Sequence, residues 1–220
     1  MKTPALSSLT MTDITSFEAT EDVSSFLLDN RESLKVLKLK FLEKFTLRDK
    51  LHNIVYPIIE QQSQLQLHSL YLRNALSPGV PGWSEAFDFT SIRRFALFEA
   101  HIAGNTRSKE VWNMFQRTGQ HFESLITNCE NDAFVEFVES SQGLEQLILC
   151  GALRLISDFP KLNNHFDTLK CLFLPQEAPW EFPFSTNQDV VGIVSNCKQL
   201  EQLCITLDYN NQVLLFSFFK

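Results

Sequence analysis

The side chains of this chain that could perform nucleophilic, acid–base or metal chemistry are scattered rather than grouped. The five histidines stand singly, and the nearest potential pair, His165 and Asp167, has the short spacing of a turn or a cap. The sequence holds no nucleophile elbow, no phosphate-binding loop and no HExxH zinc motif. We therefore expect a protein that is not an enzyme, with no catalytic residue, no metal site and no cofactor.

The five cysteines also lack the spacing of a functional cluster. They stand at positions 129, 150, 171, 197 and 204, without a CxxC pair, and their odd number argues against a disulfide framework. We expect most of them to be small apolar core residues. Cys150 and Cys171 fall on successive predicted strands, which leaves a reactive or metal-binding pair open as a second interpretation.

Composition and charge limit the classes of partner. The 220 residues are 44% hydrophobic, which is enough for a buried core, and no apolar run approaches the length of a membrane span. Residues 1–110 carry 13 basic and 13 acidic side chains, whereas residues 111–220 carry 6 and 13. We expect no nucleic-acid partner and no membrane partner. Because a secretory signal is also not visible, we expect a cytoplasmic or nuclear protein.

A leucine pattern recurs along the chain. The frame L-x-x-L-x-L occurs four times, where chance predicts roughly 0.6 occurrences in a chain this rich in leucine. The four strict frames start at Leu34, Leu67, Leu144 and Leu169, and looser frames start at Leu6, Ile92, Phe122 and Leu200. Successive starts are 22 to 33 residues apart, and segments with helical apolar spacing lie between them. Asp22, Ser108 and Asn131 or Asp132 are the predicted helix N-caps.

This alternation predicts an α/β fold in which one domain spans residues 1–220. A short strand and a helix cannot bury their own apolar faces, whereas stacked copies form a continuous core. We predict a leucine-rich-repeat solenoid, with short parallel strands on the concave face and helices on the convex face. An open doubly wound sheet is the alternative, but no glycine-rich turn follows the first strand.

Several phrases of the sequence resemble a known family. They are LLDNRESLKVLKLKF (27–41), FDFTSIRRFALFEA (87–100), FVESSQGLEQLILCG (137–151), NHFDTLKCLFL (164–174) and IVSNCKQLEQLCITLD (193–208). Together they are similar to the leucine-rich-repeat region of F-box/leucine-rich-repeat proteins, especially the divergent fungal ones. The resemblance implies a non-catalytic protein-interaction module, comparable to the substrate-recognition part of a ubiquitin ligase receptor.

The resemblance does not extend to the F-box itself. A repeat-like frame begins at Leu6, and the apolar segment from Val213 to Phe219 ends without a polar cap. We expect a fragment that lacks an N-terminal F-box and a C-terminal cap, and that binds a ligase subunit only if an F-box exists outside this chain. The alternatives are a regulatory or scaffold segment of a larger enzyme, and a degenerate inactive copy.

Strand alternation predicts which side chains a partner would contact. Frame positions 4 and 6 point inward, whereas positions 3, 5 and 7 point outward on the concave face. The outward residues change from basic to apolar along the chain, so the first could engage acidic groups and the second could anchor a peptide or protein. The predicted partner-binding residues are Lys38, Lys40, Tyr71, Arg73, Arg94, Phe98, Ile126, Ile148 and Phe173.

Two inserted segments add loop candidates. Residues 77–88 contain Trp83 and residues 175–189 contain Trp180, and each segment follows a predicted strand. Long loops with exposed aromatic side chains are often binding sites. The second interpretation is that both tryptophans fold back into the core.

Overall fold

The chain forms two compact units, Met1–Glu110 and Val111–Lys220. The computed structural model describes residues 5–42, 50–75, 82–99, 106–129, 131–150, 162–174, 192, 194–207 and 212–217. In both units β-strands alternate with helical segments, so the predicted α/β class is confirmed. Each unit is described separately below.

The elements follow one another in the predicted order. Unit 1 holds β1 (Ser8–Ile14), α1 (Phe17–Asn30), β2 (Val36–Phe41), α2 (Lys50–Glu60), β3 (Ser69–Arg73), α3 (Trp83–Ala86), a 3₁₀ turn (Phe89–Ser91) and β4 (Arg94–Phe98). Helix α4 (Thr106–Thr118) contains the boundary between the units. Unit 2 holds β5 (Ser124–Thr127), α5 (Asp132–Ser140), β6 (Gln146–Leu149), a 3₁₀ turn (Leu162–His165), β7 (Cys171–Leu174), β8 (Gln202–Leu207) and β9 (Gln212–Ser217).

Within each unit, strands that follow one another in the chain are neighbours in the sheet. Strands β1 to β4 pair in parallel in unit 1, and β5 to β8 pair in parallel in unit 2. Right-handed crossovers between such strands place their helices on one face of the sheet. Strand β9 pairs antiparallel with β8, which the frame pattern does not predict.

A single backbone hydrogen-bond motif recurs at the start of the strands. The carbonyl at frame position 2 accepts the N–H groups of positions 2 and 3 of the next frame, with N to O distances of 2.8–3.1 Å. It occurs for all six successive frame pairs that lie within a unit. The accepting carbonyls are those of Ser7, Lys35, His68, Glu123, Glu145 and Lys170.

This motif sets the register of the frames. Each of the strands β1 to β8 begins at frame position 3, so residues at equal frame positions lie opposite one another. Leu37 pairs with Leu70 in unit 1, and Leu147 pairs with Leu172 in unit 2, and all four are 0% exposed. Inward burial at positions 4 and 6 is therefore observed for the strict frames, as alternation along a strand predicts.

The helix starts differ in part from the predicted N-caps. Helix α1 begins at Phe17, where Ser16 Oγ accepts the Ala19 N–H at 3.1 Å, so the prediction of Asp22 is wrong. Helix α4 begins before Ser108, which makes that prediction wrong as well. The prediction of Asn131 is confirmed, because its Oδ1 accepts the Phe134 N–H at 3.2 Å.

An aromatic cluster forms the core of unit 2. Its side chains come from α4, α5 and the start of a frame, and neighbouring ring centroids lie 5.1–5.9 Å apart. Trp112 Nε1 donates to the carbonyl of Cys129 at 2.9 Å, which satisfies its polar atom inside the core. The cluster consists of Trp112, Phe115, Phe122, Phe134 and Phe137.

Hydroxyl groups join successive frames at a second recurring position. Thr168 Oγ1, directly before its frame, donates at 2.9 Å to the carbonyl of Leu144, the first residue of the preceding frame. Ser33 Oγ makes the same bond to Leu6 at 2.9 Å. Ser91 Oγ does so to Leu67 at 2.8 Å. Three inter-frame contacts thus share one side-chain hydrogen bond in addition to the backbone motif.

We expect Thr168→Val to lower the free energy of unfolding by about 1 kcal/mol, because valine keeps the shape of threonine but cannot donate to the Leu144 carbonyl. Urea unfolding followed by circular dichroism measures the loss. Thr168→Ser is the matched control and should retain most of the stability. Equal stability of Thr168→Val and the wild type would contradict this role of the hydroxyl.

Candidate functional site

The outward face of unit 1 is formed by frame positions 3, 5 and 7 of β1 to β4. Lys38 on β2, Arg73 on β3 and Arg94 on β4 are exposed there. Their inward neighbours along each strand are buried leucines and phenylalanines. Alternation therefore separates a charged surface from the core within a single layer of strands.

Two of the predicted basic residues have partners on this face. Lys40 Nζ lies 3.2 Å from Asp13 Oδ1, and both side chains are partly exposed, at 41% and 56%. Such an exposed pair adds little stability but offsets the charge of Lys40. Lys38 Nζ lies 4.7 Å from the centroid of the Tyr71 ring, which is its register partner on β3. The ring attracts the ammonium group without neutralising it.

Aromatic and small side chains fill the rest of this face. Phe98 is partly exposed and lies opposite Arg73 in the register of β3 and β4. Ala96, opposite Tyr71, is 0% exposed although it occupies an outward position. The surface thus has partly exposed rings at Tyr71 and Phe98, with a small residue between them.

The outward face of unit 2 is instead apolar along its middle row. Ile126, Ile148 and Phe173 occupy frame position 5 on β5, β6 and β7, and the register places them side by side. All three are partly exposed. Cys204 continues the row on β8 but is buried. Three neighbouring strands therefore present a continuous apolar strip, which we call the apolar row.

The row beside it, at frame position 3, is polar and internally hydrogen-bonded. Ser124 Oγ donates to Gln146 Oε1 at 2.7 Å, and Gln146 Nε2 donates to Cys171 Sγ at 3.7 Å. Cys171 Sγ then donates to Gln202 Oε1 at 3.7 Å. Because these groups satisfy one another across four strands, the apolar row borders side chains whose polar atoms already have partners.

The loop candidates have different outcomes. Trp83 is 3% exposed at the start of α3, which agrees with the interpretation that it folds back into the core. Gly82 precedes it with a φ of +79°, and a Cβ there would lie 2.5 Å from Ile59 Cδ1. The adjoining chain is held by hydrogen bonds between Leu65 and both Ala86 and Asp88. Trp180 lies outside the described residues.

The cysteines are arranged differently from the open alternative of a Cys150–Cys171 pair. Cys171 pairs with Gln146, four residues before Cys150, which separates the two backbone positions by about 13 Å along the strands. Burial raises the pKa of Cys171 and Cys204, and that of Cys197 to about 11. A raised pKa disfavours the thiolate, which is the nucleophilic and metal-binding form. In the described part of the chain, no group of three His, Cys, Asp or Glu residues could hold a metal ion.

Asn74 has a role that the sequence patterns did not reveal. It follows β3 with a φ of +54°, and its Nδ2 donates to the Phe41 carbonyl at the end of β2 at 3.1 Å. Its own N–H donates to the Phe98 carbonyl at the end of β4 at 2.7 Å. The preference of asparagine for the left-handed region is the sequence signal that could have identified this position. Asn74 thus joins three strand ends below the charged face of unit 1.

His165 performs structural hydrogen bonding in the core of unit 2. Its Nδ1 accepts the Leu144 N–H at 3.3 Å, so the ring proton lies on Nε2, which donates to the Val138 carbonyl at 2.9 Å. The side chain is 0% exposed. Burial lowers the pKa of His165 despite the opposing effect of the Val138 hydrogen bond, and the charge of His121 lowers it further. The imidazole is therefore neutral and fixed in one tautomer.

This geometry predicts that unit 2 loses stability in mild acid. The pKa of His165 is lower in the folded chain than in the unfolded chain, where it is about 6.5. As pH falls below that value, the unfolded state takes up a proton that the folded state refuses, so the free energy of unfolding decreases towards the folded pKa. Urea unfolding between pH 7.5 and pH 5 measures this slope.

A substitution separates this effect from general acid sensitivity. His165→Gln should lower stability at pH 7.5 by about 1–3 kcal/mol, because the Leu144 N–H loses its acceptor. It should also flatten the slope below pH 6.5. His121→Gln is the matched control, since His121 is exposed, and it should leave most of the slope. An unchanged slope in His165→Gln would refute the assignment.

Comparison with known proteins returns no relative. No protein-family model matches the chain, and neither a curated protein nor a solved structure is similar enough to match it. None of the helices in the described ranges is long and apolar enough to cross a membrane.

Proposed function

We propose that this chain is a non-catalytic protein-interaction module whose outward face holds a protein partner. In this proposal the fold is a leucine-rich-repeat solenoid. The module corresponds to the substrate-recognition part of an F-box ubiquitin ligase receptor, and acts in the cytoplasm or nucleus. It would dock on a ligase only through an F-box outside this chain.

The repeated backbone motif supports the solenoid. Six successive frame pairs place the same carbonyl against the same two N–H groups, so the frames behave as copies of one structural unit. Serine or threonine hydroxyls add an equivalent bond at three of these contacts. Such equivalence is expected where each repeat buries its apolar face only by stacking on its neighbours.

The apolar row carries the functional part of the proposal. Ile126, Ile148 and Phe173 form an apolar strip on three neighbouring strands, and each remains partly exposed. The polar groups beside it already hydrogen-bond to one another, so covering the strip would leave them satisfied. Protein–protein interfaces commonly combine such an apolar centre with a polar border.

The nucleophilic and acid–base groups support a non-catalytic module. His165 uses both ring nitrogens in buried hydrogen bonds. Cys171, Cys197 and Cys204 have raised pKa values, so their thiols are largely protonated at neutral pH. These groups are committed to the fold rather than poised for bond-making steps.

The double substitution Ile148→Asp, Phe173→Asp should weaken partner binding at least about tenfold, because it places two carboxylates in the centre of the apolar contact. The measurement has two stages. Quantitative affinity capture first identifies proteins enriched by the wild type, and calorimetry with the purified partner then gives the affinity.

Val194→Asp is the matched control, because Val194 is a comparable apolar side chain, 40% exposed, that lies outside the strands of unit 2. It should bind the partner as the wild type does. Thermal melting of both variants verifies that they fold. Full binding by the folded double variant would exclude the apolar row as the interface.

A further inference from the structure

The outward face of unit 1 carries positive charge that the described chain does not neutralise. Lys38, Arg73 and Arg94 are exposed, and within the described ranges none of them forms an ion pair. Lys40 differs, because Asp13 lies 3.2 Å from its ammonium group. The face therefore presents three unpaired cations, one on each of three neighbouring strands.

The register fixes the spacing of these cations. Lys38 occupies frame position 5 on β2, Arg73 position 7 on β3, and Arg94 position 3 on β4. Neighbouring strands lie about 4.8 Å apart and two residues along a strand span about 6.6 Å, so the backbone positions are roughly 8 to 14 Å apart. Alternate side chains of an extended peptide are also about 6.6 Å apart. Several carboxylates along such a peptide suit this spread better than one compact anion.

The aromatic residues of the face favour a peptide as the carrier of the negative charge. The Tyr71 ring holds the Lys38 ammonium 4.7 Å from its centroid, which reduces the freedom that Lys38 would lose on binding. Phe98, beside Arg73 in the register, offers partly exposed apolar surface. A peptide can use both features, with its carboxylates on the cations and its aliphatic parts on the rings.

We propose that the outward face of unit 1 binds an extended acidic peptide segment of the protein partner. This inference rests on the proposed function and adds the chemistry of the ligand. Nucleic acid is the competing polyanion, but the chain carries a net charge of −7. A long phosphate backbone would therefore meet repulsion wherever it extended past this face.

Fluorescence anisotropy with the full chain tests the proposal. The probes are a labelled twelve-residue peptide of alternating Glu and Thr, the same peptide with Gln for Glu, and a single-stranded oligothymidine of equal length. The Glu peptide should bind, and its affinity should fall as salt screens the charges. The Gln peptide should not bind measurably, and oligothymidine should bind more weakly than the Glu peptide.

Charge reversal assigns the binding to the face. Arg73→Glu and Arg94→Glu should each weaken binding of the Glu peptide about tenfold. Arg31→Glu is the matched control in the same unit, because Arg31 directly follows α1 and donates to Gln61 in the helical layer. Equal affinity of Arg73→Glu and Arg31→Glu would overturn the proposal, as would tighter binding of oligothymidine or equal binding of the Gln peptide.

Asp13→Asn provides a gain-of-function test that misfolding cannot imitate. It removes the carboxylate beside Lys40 and should tighten binding of the Glu peptide about two- to fivefold. Asparagine tolerates the φ of +58° at this position, so the backbone should be preserved. Unchanged or weaker binding would contradict the proposed role of the face.

The two proposals can fail separately. If the partner binds through the apolar row but the Glu peptide does not bind the chain, only the acidic-peptide inference fails. If the Glu peptide binds as expected but the Ile148→Asp, Phe173→Asp variant keeps full partner affinity, the apolar interface fails instead.

Discussion

The parallel hydrogen bonding that begins at frame position 2 is the constraint on which the rest of this structure depends. One carbonyl accepts two consecutive N–H groups of the next frame, and this fixes the residue at which each strand starts. A slip of one residue would turn each buried leucine outward and each outward side chain into the core. Because the motif recurs in six frame pairs, the register is specified repeatedly rather than once.

The same constraint separates two tasks in the sequence. Inward positions must be apolar and of similar size, since they stack on the equivalent residues of neighbouring strands, as Leu37 does on Leu70. Outward positions have no such requirement, so their chemistry can change from one frame to the next. Unit 1 uses this freedom for cations at Lys38 and Arg73, and unit 2 uses it for the strip around Ile148. Recognition can therefore vary while the packing that supports it stays constant.

The sequence predicted the strands far better than the helix ends or the interior contacts. The frames located all eight parallel strands, because burial on one face imposes a periodic pattern that is visible in the residue types. Helix caps depend on one hydroxyl or carboxylate, and several candidates precede α1, so Ser16 and Asp22 could not be distinguished by type alone. Trp83 was ambiguous for a similar reason, since an aromatic residue in a loop suits either a core or a binding surface. Strand β9 has no leucine frame, and its antiparallel pairing follows from tertiary contact with β8.

The candidate site was predictable in position but not in pairing. Alternation assigns Lys38 and Lys40 to one face, because the two residues are separated by one buried leucine. It cannot show that Lys40 meets Asp13, which lies 27 positions earlier and reaches Lys40 through a left-handed backbone at the end of β1. Nor can it show that Lys38 lies over Tyr71, which depends on the register of β2 and β3. The charge available to a ligand is therefore set by long-range pairing, and residue types alone overstate it by the one cation that Asp13 occupies.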